Sequence, residues 1–176
     1  MKKEIEIKLS YNKADRQVIK SLLEKRGAKF SQEFELNDIY FSQSHTDMSK
    51  AHDLLRIRNK AAMTELPFKG KCENNEHIWQ RIEDTCKIVA VEEMQKILTY
   101  LNFKIISENK SLRETWLLNG VEIVFIDFIL PEKISLIEIE GDTSEDVRNV
   151  IEIIADYVKN MGEDGFSKFD NSRNKN

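Results

Sequence analysis

Fully charged residues recur at every second position in several short segments. Glu4, Glu6 and Lys8 alternate with Ile5, Ile7 and Leu9, and Arg56 and Arg58 with Leu55 and Ile57. Lys69 and Lys71 oppose Phe68, Arg81 and Glu83 flank Ile82, and Glu138 and Glu140 alternate with Ile137 and Ile139. Successive side chains of a strand point to opposite faces, so each set shares one face. Arg113 lies in a segment ending in Trp116, Leu117 and Leu118, and Asp127 interrupts the apolar run Val121–Leu130. Two arrangements fit this pattern. In the first, an antiparallel sheet turns its polar side to water. In the second, the charged faces point inward and line a closed barrel, where charge survives only if it is paired or bound by a ligand.

The scarcity of Ser, Thr, Gln and Asn on these faces, and Asp127 among Ile123, Phe125 and Ile126, favour the inward arrangement. Lys8, Arg56, Arg58, Lys69, Arg81 and Arg113 would then face Glu4, Glu6, Glu83, Asp127, Glu138 and Glu140. Arginine and lysine bind phosphate oxygens, arginine bidentately. Carboxylates are the hard oxygen ligands that Mg²⁺ or Mn²⁺ takes, one or two at a time, together with substrate phosphate. A triphosphate with its metal meets both requirements. A purely basic tunnel would need no acids, and a calcium site would need no arginines.

The elements that must position these residues follow from periodicity. Residues 4–9 read as a strand, and a helix follows from about Asn12 with Val18, Ile19, Leu22 and Leu23 as its stripe and Gly27 at its end. Strands are expected at 37–42, Leu54–Asn59, Leu66–Lys71 and Ile78–Thr85, with a loop over Ser42–Asp53 and a turn at Glu73–Glu76. A second helix spans Val91–Asn102. Strands Ser111–Leu118 and Val121–Leu130 join through Asn119-Gly120, a strong hairpin signal, and Ser135–Glu140 follows. Thr143 opens a last helix, with Asp146 as an acidic variant of the capping box and Val147, Val150, Ile151, Ile154, Val158 and Met161 as its apolar face. Hairpin-linked strands predict a mainly antiparallel sheet, closed or nearly closed into a barrel, in an α+β chain.

Composition sets outer bounds. The chain has 176 residues, 40% hydrophobic and 33% charged, enough for one core, and its 6 Gly and 2 Pro exclude linker-like or collagen-like character. Residues 1–170 read as one domain and 171–176 as a polar tail. The 27 Lys+Arg against 31 Asp+Glu give a net charge of −4, which argues against a nucleic-acid partner. No apolar run has the length of a membrane span, and the first residues lack the apolar stretch of a signal peptide. Cys72 and Cys86 are read as reduced thiols of a cytoplasmic protein. His45, His52 and His77 lack metal-ligand spacing, and no Gly-rich phosphate loop or Gly-x-Ser-x-Gly motif occurs. Trp79 and Trp116 are read as packing residues of the core or rim.

Glu4-Ile5-Glu6-Ile7-Lys8 resembles the N-terminal signature of the CYTH superfamily, the triphosphate tunnel metalloenzymes. Asp38-Ile39-Tyr40-Phe41, Leu55-Arg56-Ile57-Arg58, Phe68-Lys69-Gly70, Arg81-Ile82-Glu83, Arg113-Glu114-Thr115-Trp116, Asp127 and Glu138-Ile139-Glu140 follow in that family's order. The resemblance, closest to the class IV adenylyl cyclase-like branch, implies an eight-stranded antiparallel barrel with helices outside. It implies that Lys8, Arg56, Arg58, Lys69, Arg81 and Arg113 hold a triphosphate. It also implies that Glu4, Glu6, Glu83, Glu138 and Glu140, with Asp127, hold Mg²⁺ or Mn²⁺, and that Lys8, Asp127 and Glu138 lie closest to the chemistry. The expected activity is hydrolysis of a small-molecule triphosphate by a monomer or homodimer. Cyclisation of ATP to cyclic AMP and pyrophosphate is the alternative, and non-catalytic sensing of nucleotide or polyphosphate the second. The chain departs from the family where Ser111 replaces a usual lysine. Either a bulge turns Lys110 inward or that contact is missing. Trp116 replaces a tyrosine, and Thr85 stands in place of a third acid after Arg81 and Glu83.

Overall fold

A computed structural model describes residues 2–43, 54–60, 63–70, 73–75 and 78–160, excluding the side chains of residues 2–4, 54, 73–75, 78–81 and 160. The strands are β1 (Lys2–Tyr11), β2 (Lys29–Ser42), β3 (Leu54–Lys60), β4 (Met63–Lys69), β5 (Glu73–Asn75), β6 (Ile78–Ile88), β7 (Lys104–Leu118), β8 (Val121–Leu130), β9 (Ser135–Gly141) and β10 (Val158–Asn160). Helix α1 (Arg16–Lys25) follows β1, α2 (Val91–Tyr100) follows β6, and α3 (Ser144–Ile154) follows β9. Neighbours pair antiparallel in the order β1-β9-β8-β7-β2-β3-β4-β6, and β1 pairs back onto β6 from Lys2↔Glu83 to Glu6↔Trp79. Eight strands therefore form a ring. Beyond Glu6, β1 leaves β6, and its free edge takes β10 instead, from Leu9↔Asn160 to Tyr11↔Val158.

Alternation decides what lies on each side of the ring. Ile5, Ile7 and Leu9 of β1, Ile123 and Phe125 of β8, and Ile137 and Ile139 of β9 pack against Ile19 and Leu23 of α1 and Val147, Val150 and Ile154 of α3. Burying each such side chain contributes about 1.5–3 kcal/mol. A second cluster joins Phe41, Ile57 and Ile88 to Leu98 of α2, with Leu55 and Leu66 against it. The helices lie outside, so the residues alternating with these apolar ones face the lumen. No helix among the described residues is long and apolar enough to cross a membrane.

Local signals hold at the ends of elements. Asn12 accepts from the Ala14 N–H at 3.1 Å and opens a short 3-10 turn before α1. Gly27 closes α1 at φ 94°, and Asn119 and Gly120 take φ 50° and 86° between β7 and β8, as a tight hairpin requires. The Thr143 hydroxyl accepts from the Asp146 N–H at 3.1 Å and donates to its carboxylate at 2.6 Å.

The structure corrects several boundaries. β2 begins at Lys29 and β7 at Lys104, well before the alternation becomes clear. Each early half is templated by the other strand's late half, from Lys29↔Leu117 to Ser42↔Lys104. Residues 73–75, expected as a turn, form β5 against β6. α2 stops at Tyr100, and α3 ends at Ile154 rather than reaching Val158. Val158 still packs on the main cluster, but from β10. Lys71, Cys72, the three histidines, Met161 and the 171–176 tail lie outside the described residues.

Thr143→Ala is expected to lower the unfolding free energy by about 1 kcal/mol in urea titrations, because two N-terminal helix contacts are lost together.

Candidate active site

The lumen-facing charges are buried, which decides between the two arrangements open to the sequence. Glu6 and Asp38 are each 3% exposed, and Arg56 and Lys69 each 7%. A solvated sheet face does not look like this. Lys8 Nζ lies 2.7 Å from a Glu6 oxygen and 2.8 Å from Glu138, joining β1 to β9. Arg113 of β7 reaches Glu138 at 3.4 Å. Lys69 of β4 lies 3.8 Å from Glu6 and 3.6 Å from Glu83 of β6. The result is one alternating chain, Arg113–Glu138–Lys8–Glu6–Lys69–Glu83. Beside it, Asp38 of β2 holds Arg58 and Arg56 of β3. The Arg56 and Arg113 Nε groups are buried without a hydrogen-bond partner among the described residues.

Electrostatics fixes the protonation of this network. Burial alone would raise the Glu6 carboxyl, but the Lys8 and Lys69 ammonium groups hold it down to about 2. Glu138 is likewise opposed by burial, yet Lys8, Arg113 and Lys69 keep it well below the ordinary range. Burial would lower Lys8, whereas Glu138 and Glu6 raise it. Asp38 is lowered by Arg56 and Arg58 against its own desolvation. At neutral pH Glu6, Glu138, Asp38 and Lys8 are therefore all charged. Glu6 and Glu138 offer ionised oxygen donors converging on one point, the donor chemistry a hard divalent cation takes. Both are engaged by Lys8, and among the described residues no three His, Cys, Asp or Glu side chains are placed to hold an ion. A metal bound here would need ligand oxygens to complete its shell, and the residues fit it on those terms.

Most of the expected residues come together. Glu6, Lys8, Arg56, Arg58, Lys69, Glu83, Arg113 and Glu138 meet in the lumen, and Glu140 stands opposite Glu6 in the β1–β9 ladder. Glu4 and Arg81 pair in the β1–β6 ladder, but their side chains lie outside the description. Asp127 does not join them. It shares the outer face with Ile123 and Phe125, where Arg16 reaches it at 2.6 Å, Lys13 at 3.2 Å and the Ser135 hydroxyl at 2.5 Å. Arg16 also binds Glu114 at 2.7 Å, so the pair fastens α1 to the barrel. Ser111 is buried opposite Leu36 and Phe128, while Lys110 pairs outside with Glu35 at 2.8 Å. The ladder is irregular at Lys110/Ser111, but Lys110 is not turned inward. Trp116 packs in the outer core and donates to Glu114 at 2.8 Å. Sequence reasoning missed Asp38 and Tyr40 as lumen groups, although their alternation with Ile39 and Phe41 carried the signal.

Comparison with known proteins now bears on these residues. The family model of the CYTH domain matches residues 2–172. The chain belongs to the CYTH family. No match was found among curated proteins. Among solved structures, this CYTH chain resembles a protein from Pyrococcus horikoshii OT3, with 23% identity and TM-score 0.72 over 89% of this chain and 94% of that one. A Hippeastrum protein described as an adenylyl cyclase with a dominant triphosphatase activity is 18% identical, with TM-score 0.65 over 85% of this chain and 84% of that one. A chain of the Schizosaccharomyces pombe Mediator head module is 8% identical, with TM-score 0.67 over 89% and 96%. Identities of this order show the fold alone.

Two outcomes test the charge arrangement. The Glu6 pKa is depressed on folding, so its stabilisation is complete above its ordinary value of 4.5 and is lost as pH falls towards about 2. Melting temperatures of the wild type and Glu6→Gln should therefore differ at pH 7 and converge towards pH 2.5. Asp127→Ala should lower the unfolding free energy by about 1–3 kcal/mol in urea, since it removes one of the two carboxylates that hold Arg16. Unchanged stability would show that this pair does not anchor α1.

Proposed function

We propose that this CYTH protein hydrolyses the terminal phosphate of a small-molecule triphosphate, inorganic triphosphate or a nucleoside triphosphate, with Mg²⁺ or Mn²⁺. One observation carries the reading: cations interleaved with ionised carboxylates inside the ring, with the buried Nε donors of Arg56 and Arg113 lacking an acceptor among the described residues. Phosphate oxygens are the acceptors such donors fit.

Lys8, Arg56, Arg58, Lys69 and Arg113, with Arg81, hold the triphosphate in line and offset its charge. Lys8 stays protonated because Glu138 and Glu6 raise its pKa, so it acts as a fixed positive charge rather than a proton carrier. Glu138 is held too far below the ordinary range to be an effective general base, so its role is charge and ligation. Glu6 and Glu138 would hold the divalent ion, with oxygens of the bound triphosphate completing its shell. When bound, that ion supplies further charge stabilisation at the phosphate oxygens. Water adds to the terminal phosphorus, the bond to the bridging oxygen breaks, and orthophosphate leaves with a diphosphate. Asp127 has no part in this step. The protein is proposed to act in the cytoplasm, as a monomer or homodimer, without a nucleic-acid or membrane partner.

A second reading, ATP cyclisation, is the activity first assigned to the Hippeastrum protein by name, although its dominant activity is that of a triphosphatase. Phosphorus NMR with chromatography separates the readings. Incubation with ATP or inorganic triphosphate should give orthophosphate that requires Mg²⁺ or Mn²⁺ and stops with EDTA. Glu6→Gln should reduce the rate at least about a hundredfold while still folding. Cyclic AMP plus pyrophosphate would establish the cyclase, and tight binding without product would establish a sensor.

A further inference from the structure

Asp38 is buried among the lumen cations, and the function proposed above gives it no part. Arg58 donates from Nε and Nη2 to its two oxygens, each at 2.9 Å. Arg56 Nη1 lies 3.5 Å from the same carboxylate and donates to the Tyr40 hydroxyl at 3.2 Å. A two-point pair fixes the plane of a guanidinium as well as its place. Arg58 commits its Nε–Nη2 edge to Asp38. Arg56 commits Nη1 and keeps a buried Nε without a partner among the described residues.

We infer that Asp38 is a positioning residue that aims Arg56 and Arg58 as a preformed clamp on the phosphates of a triphosphate, which rests on the function proposed above. By charge alone a carboxylate here works against the ligand, since it repels a polyanion and offsets the arginines. Its geometric effect has the opposite sign. With Asp38 in place the two long side chains are ordered before the ligand arrives, and without it they must be ordered on binding.

The opposed signs make the test decisive. Asp38→Asn keeps the shape, removes one negative charge and replaces one acceptor oxygen with a donor. Binding of inorganic triphosphate to the full chain is measured by calorimetry in EDTA, and turnover separately with Mg²⁺. Positioning predicts a Kd raised about tenfold, the equivalent of ordering two arginines on binding, and a lower kcat. Asp38→Glu, which keeps both acceptor oxygens, should recover part of the affinity. Equal or tighter binding by folded Asp38→Asn would overturn the inference. Should that variant not fold, Arg58→Lys keeps the charge without the two-point pair, and unchanged affinity would overturn it equally. A wild type that neither binds triphosphate in EDTA nor turns it over with Mg²⁺ would overturn the proposed function and this inference with it. Binding by the wild type with no loss in the variant would overturn the inference alone.

Discussion

A charge taken out of water must be met by another charge, and the interior of this barrel is built around that constraint. Lys8 stands between Glu6 and Glu138 at 2.7 and 2.8 Å, and each carboxylate is shared with a further cation, Lys69 or Arg113. Removing a shared member leaves its buried partners short of counter-charge, which costs more than the loss of an exposed pair. The strands that carry these residues are consequently fixed in register. A slip of one residue would put Ile5, Ile7 and Leu9 into the lumen and Glu6 and Lys8 against α1 and α3.

The same alternation made much of the fold legible in the sequence. Charged and β-branched residues at strict two-residue spacing identified β1, β3 and β9, and turn chemistry at Asn119-Gly120 located the β7–β8 hairpin. What escaped depended on partners distant in sequence. The leading half of β2 is largely exposed and has no apolar alternation of its own, so only its ladder with the end of β7 makes it a strand. Val158 carries the apolar character expected at a helix face, and the core accepts it equally from β10.

The site shows the same division. Its cations were visible because Arg and Lys at alternating positions have few other uses inside a barrel. Asp127 was misplaced because an acid in an apolar strand was read as a lumen group, although its parity with Ile123 and Phe125 puts it outside with Arg16. Asp38 was overlooked because a single acid beside Ile39 and Phe41 looks like an ordinary strand residue until Arg56 and Arg58 are seen to converge on it.

Fold and function separate at this point. A Mediator chain shares the architecture at 8% identity, so the barrel itself implies no chemistry. In the present chain the positive groups of the lumen are held by its own carboxylates. Under the proposed function, a triphosphate entering this lumen offers its oxygens to Lys8, Lys69 and Arg113 and competes with Glu6 and Glu138 for them. Carboxylates released from those pairs are buried anions again in search of a cation, and a divalent ion answers that need. Phosphate binding and metal binding therefore reinforce each other, each relieving the unmatched charge that the other creates. Until both arrive, Lys8, Glu6 and Glu138 keep one another ionised.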